Sequence, residues 1–252
     1  MAATTGFRTF YPALIPPGAR HIDGVFSAGP IEDASSLLAA LSGASLIGDF
    51  LVRSTGIANL RSSSFENLPL LSESRLSFEA IRKFLSLNCL TGAYSEIWKD
   101  ITGEEWSPSV AVRTSLDRLQ AQSFIDVVVA ISLGVTIQEL CMIYRTQFPV
   151  MRRYDRESWF DRNGRQLPKQ IGRKHDVNDD STLLSPVDRT WVNPQSGIQY
   201  LFEYPFRRFD REKEIERIYG QIEQNPHLLV NSANRLRISA SRSNGAKGAS
   251  KL

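Results

Sequence analysis

Cysteine, histidine and net charge are all scarce in this 252-residue chain. Its two cysteines, Cys89 and Cys141, lie far apart in apolar, helix-like surroundings. They read as reduced, buried thiols and not as a disulfide frame. His21, His175 and His227 are scattered without ligand spacing, so no zinc pattern can be written. No apolar run approaches the ~20 residues that span a bilayer. The longest, Phe124 to Val135, is broken by Asp126 and Ser132. The first residues lack the basic-then-apolar shape of a secretory signal. The expectation is a cytoplasmic protein with no membrane contact. The formal net charge is only +3, so affinity for nucleic acid would have to come from local clustering.

Chemistry-bearing patterns are missing too. No G-x-G follows a predicted strand, and nothing resembles a nucleophile elbow around any serine. Asp210, Glu212 and Lys213 are the types a metal-dependent nuclease would use. Their adjacency at a predicted helix start fits the helix dipole better.

An α+β chain is what remains. Phe7–Phe10 alternates as a half-buried strand would, and Ala13–Ile15 is stopped by Pro16-Pro17. Leucines and isoleucines near helical spacing predict a first helix over Ile31–Leu51, in which Gly43 and Gly48 permit close packing, with a stop at Gly56. Leu60–Leu71 is a strand or a docked loop. A second helical block covers Arg75–Lys99, split at Gly92, and a third helix covers Ala111–Leu133. Thr136 and Glu139 predict a capping box opening a helix to Tyr144. Asp161–Gly164 is a turn, 165–190 a loop, and Thr190–Val192 with Ile198–Tyr204 two strands joined through Asn193–Gly197. Asp210 caps a charged helix to Gln224. No internal repeat is visible. The divisions expected are a small mixed lobe at 1–72, a helical segment at 73–149, a loop-rich strand–helix lobe at 150–230 and a flexible basic tail at 231–252. Trp98, Trp106, Trp159 and Trp191 are expected in packing roles.

Two stretches carry the candidate binding residues. The arm Arg53–Arg61 offers Arg53, Asn59 and Arg61 for base edges, and Ser54 and Thr55 for phosphate oxygens. The segment Arg145–Lys174 holds nine cations, Arg152, Arg153, Arg162 and Arg165 among them, against only Asp155, Glu157 and Asp161. Interleaved Tyr154, Trp159 and Phe160 would permit stacking beside phosphate contact. The tail adds Arg235, Arg237, Arg242, Lys247 and Lys251 with no acid.

Leu37–Pro69, with its apolar helix, Arg-Ser-Thr-Gly arm and Leu-Pro exit, resembles the target-recognition domain of bacterial type IIG-like restriction-modification adenine methyltransferases. Ile15-Pro-Pro-Gly18, with His21 and Val25, looks like the strand that enters that domain. Leu85–Thr91 with Tyr94 and Trp98, Ile125-Asp126 through Thr136, Tyr144–Pro149, Trp159–Arg165 and Tyr204–Glu212 are similar to the C-terminal region of phage-defence methylases. The likeness covers most of residues 10–222. It implies a recognition function on double-stranded DNA. The sequence departs from the family where the chemistry lies. Asn193-Pro194-Gln195 and Asn225-Pro226-His227 lack the second proline and the aromatic of the base-flipping loop, and Ile15-Pro-Pro-Gly18 lacks its amide and aromatic. The implied protein is not an enzyme on its own and holds no cofactor. S-adenosylmethionine would sit on a partner methyltransferase subunit. The alternative is a structural subunit that binds other defence-complex proteins through the helices at 75–99 and 111–144.

Overall fold

The computed structural model describes residues 6–16, 18–20, 25, 27, 34–56, 68–69, 71, 77–177 and 183–229. The fold is α+β, mainly helical with a few short antiparallel strands. No single helix among the described residues is long and apolar enough to cross a membrane.

The first expected helix is two helices. α1 (Ala34–Ala44) and α2 (Leu46–Ser54) meet at 78°. Ser45 makes the corner. Its backbone is extended, its Oγ donates to the Ser42 carbonyl at 2.6 Å and accepts the Gly48 N–H at 3.1 Å. That is an N-cap, which starts a new helix instead of continuing the old one. Gly48 makes the crossing tight, since a Cβ there would stand 2.3 Å from the Ser42 carbonyl oxygen.

Residues 7–10 are not the expected strand. Their backbone donors go to side chains: Thr9 N–H to both oxygens of Asp49, and Arg8 N–H to the Tyr11 hydroxyl. With those donors committed, no ladder forms. The segment lies as an irregular strap, with Phe10 buried against Val52 and Leu68. Most of Leu60–Leu71 lies outside the described residues. Its Pro69 carbonyl accepts from Ser42 Oγ at 3.0 Å.

The second block is split as expected into α3 (Phe78–Asn88) and α4 (Ser95–Thr102), with the 3-10 turn Gly92–Tyr94 between them. α5 (Ser115–Ser132) is the central helix. Val127 to Ala130 have no exposure at all, because α1, α2, α3, α6 and α9 surround it. α6 (Ile137–Gln147) opens with the predicted capping box, and the Thr136 N–H and hydroxyl hold the Glu139 carboxyl below its usual range. α7 (Pro149–Glu157) follows at once, with Pro149 at its first position. β1 (Trp159–Phe160), α8 (Lys169–Val177), β2 (Thr190–Val192), β3 (Gln199–Leu201), β4 (Arg207–Arg208) and α9 (Arg211–Gln224) complete the order. β1 pairs with β4, and β2 with β3, both antiparallel. α8 corrects the expectation of a loop over 165–190, and the β1–β4 pairing adds two strands to the two expected in this lobe.

One hydrophobic cluster runs from Leu14 through α1, α3, α5 and α6 to Ile222 of α9. The expected division at residue 72 therefore does not separate two cores. A smaller cluster (Leu167, Ile171, Leu184 and Phe202) lies beneath the strands, with Trp159 and Trp191 packed on it. Trp98 is fully buried, and the Trp106 indole N–H donates to the Cys89 carbonyl at 2.9 Å.

Candidate nucleic-acid interface

A buried ionic chain sets the orientation of the basic elements. Asp126 of α5 is fully buried, accepts the Leu46 N–H at 2.7 Å and faces Arg8 at 3.4 Å and Arg211 at 4.0 Å. Burial pushes its carboxyl above the usual range, against the pull of both arginines. Arg211 grips Asp155 of α7 through Nε and Nη2, at 2.8 and 3.2 Å. The Tyr144 hydroxyl also donates to Asp155, at 2.8 Å. Burial alone would lower the Arg211 pKa. The Asp155 and Asp126 carboxylates with Tyr144 together outweigh it and raise the guanidinium further.

Asp155 is thus withdrawn from the surface arginines that neighbour it in sequence. Asp161 is withdrawn in the same way. It is fully buried, and it accepts the Asn163 and Arg165 N–H groups and the Arg165 guanidinium. Two of the three acids within the basic segment are consumed internally.

The expected site residues divide accordingly. Arg53 is turned inward. Its side chain is 8% exposed, donates to the Gln147 carbonyl at 2.6 Å, lies 3.9 Å from Asp49 and stacks 4.5 Å over the Phe148 ring. The expectation that it reads DNA is corrected, because a guanidinium held under α6 cannot reach a groove. The Arg165 guanidinium is engaged differently, by Asp161, and its side chain stays 32% exposed. Beyond its Asp161 pair it donates to the Leu201 carbonyl at 2.7 Å. Ser54 and Thr55 donate their hydroxyls to the Leu51 and Val52 carbonyls, which close the end of α2. Asn59 and Arg61 lie outside the described residues.

Arg152, Arg153 and Arg162 remain. Arg152 and Arg153 stand on α7 beside Arg156, and Arg162 is exposed in the turn after β1. Lys169 and Arg173 on α8 and Arg207 on β4 are also exposed. Among the described residues, none of these seven cations forms an ion pair. The neighbouring cations are cancelled: Arg145 by Glu212, Lys174 by Asp188, Arg208 by Asp176. Arg207 was not singled out in the sequence. Its strand is two residues long and leaves no period to detect.

The Asn-Pro sequences that depart from a base-flipping loop serve local structure. Asn193 Oδ1 accepts the Gln195 and Ser196 N–H groups at the β2–β3 corner, and Asn225 ends α9. Comparison with protein-family models, curated proteins and solved structures finds no significant match to this chain.

Proposed function

We propose that the chain is a noncatalytic DNA-recognition module that holds the duplex for a separate adenine-specific methyltransferase in a restriction-modification or phage-defence system. The observation that carries the DNA-binding part is the set of seven cations without ion-pair partners among the described residues, on α7, α8, the turn after β1 and β4. Cations left unpaired in this way can replace the counterions condensed on a polyanion, whose release favours binding. The methyltransferase and its S-adenosylmethionine enter only through the sequence resemblance.

The second reading, a protein-binding subunit, has one feature in its favour. A groove of about 700 Å³ lies over α5, between α3 and α9, with Phe124, Ile218 and Leu228 along it and Lys83, Asp117 and Arg217 at its edge. A gel shift of the purified full chain with duplex DNA at about 50 mM salt separates the two. Retention of DNA by the chain alone is the expected result. Retention only after a methyltransferase is added would favour the protein-binding subunit.

A further inference from the structure

The DNA-binding reading leaves open what the basic face touches. We infer that it holds the phosphate backbone of double-stranded DNA without reading base sequence, and that Arg152, Arg153 and Arg156 of α7 are its centre. This rests on the proposed function and narrows it to one surface and one kind of contact.

The geometry begins with helix periodicity. At about 100° per residue, Arg152, Arg153 and Arg156 fall within an arc of about 100°. Met151 and Asp155 fall about 100° and 60° beyond the Arg152 edge of that arc, and both are buried. The Asp155 carboxylate is engaged by Arg211 and Tyr144, and it forms no ion pair with Arg152 three residues before it. Glu157, at the end of the helix, is the one other acid on α7.

Arg153 and Arg156 are three apart, and Arg152 and Arg156 four apart. Like charges at these spacings repel and oppose the helix. On α8, Lys169 and Arg173 repeat the four-residue spacing, also without ion-pair partners among the described residues. A polyanion laid across both helices would relieve both repulsions.

The same geometry opposes base readout. Base edges are read by a side chain on an element that enters the major groove. α7 is nine residues long, packs against α6 and begins at buried Phe148. It carries no Asn or Gln. One arm of the Arg152 guanidinium already donates to the Arg145 carbonyl at 2.8 Å, which leaves less of its fork for a bidentate base contact. Arginines so placed make point contacts with phosphates.

The test is the triple variant R152Q/R153Q/R156Q in the full chain, with thermal unfolding as the check on folding. Binding to several unrelated duplexes is followed across a salt series. Loss of three phosphate contacts should reduce the slope of log affinity against log salt by about 3, equally for every sequence. A second variant, R162Q/R207Q, should reduce it by about 2. Duplex RNA serves as the alternative polyanion, and DNA should be preferred to it. No DNA binding by the unmodified chain would overturn this inference and the proposed function together. Binding with an unchanged slope in both variants would overturn the inference alone. So would a loss confined to one DNA sequence, or tighter binding of duplex RNA.

Discussion

Arg53 and Arg152 look equivalent in a sequence, since each is an arginine near the end of an apolar stretch. The fold gives them opposite work. Arg53 spans from α2 to the Gln147 carbonyl and the Phe148 ring, and so joins the first helices to the α6–α7 junction. Arg152 stays at the surface. Arg53→Ala should therefore cost stability, about 1–3 kcal/mol from a lost hydrogen bond to a charged donor and lost stacking, read as a lower urea midpoint. It should leave the salt slope of DNA binding unchanged. Weakened binding with no loss of stability would return Arg53 to the interface. Arg211 is the extreme case of an arginine taken inside, with its side chain fully buried between Asp126 and Asp155. Such a pair is held by geometry that sequence spacing does not disclose, since its partners lie 85 and 56 positions away.

Among the elements, the α1–α2 corner and α9 make a paired test of what a glycine does. Gly48→Ala would set a methyl group 2.3 Å from a backbone oxygen that cannot step aside, so it should destabilise by about 1–3 kcal/mol or more. At Gly220 of α9 a methyl group would meet nothing within 4 Å, and Gly220→Ala should stabilise by up to about 1 kcal/mol through helix propensity. Equal effects at the two positions in thermal unfolding would show that helices α1 and α2 do not meet so closely. Elements with their own caps were legible: Thr136–Glu139 at α6 and Asp210 at α9. α7 and α8 were not, because each buries only a few residues and their charged faces mask the 3.6-residue period.

For the whole molecule, the alkaline side of the stability profile is the informative one. Burial raises the Cys89 thiol from 9.0 to about 12 and the Tyr219 hydroxyl from 10.0 to about 12. It also raises the Tyr144 hydroxyl, helped by the Asp155 carboxylate. In each case the folded state keeps the proton over a range where the unfolded chain has lost it. Stability should therefore fall as pH rises from about 9 toward 12. Melting temperatures measured from pH 7 to 11 should drop, and Cys89→Ala should remove the part of the decline that begins near pH 9. A profile that is flat to pH 11 would show that these groups are not buried in the folded protein.

The sequence by itself determined the helical character of the centre, the caps at Thr136 and Asp210, the turn at Asp161–Gly164 and the hairpin at Asn193–Gly197. All of these depend on residues within a few positions of one another, where spacing and backbone preference suffice. It also marked the basic segment from Arg145 to Lys174. Only the tertiary structure decided which of its charges face outward. That choice depended on Arg211 and Leu201, far along the chain, which take up Asp155 and Arg165, and on Asp161 turning inward to hold Arg165. Charge cancellation is a matter of distance in space, and a linear count of acids and bases does not contain it.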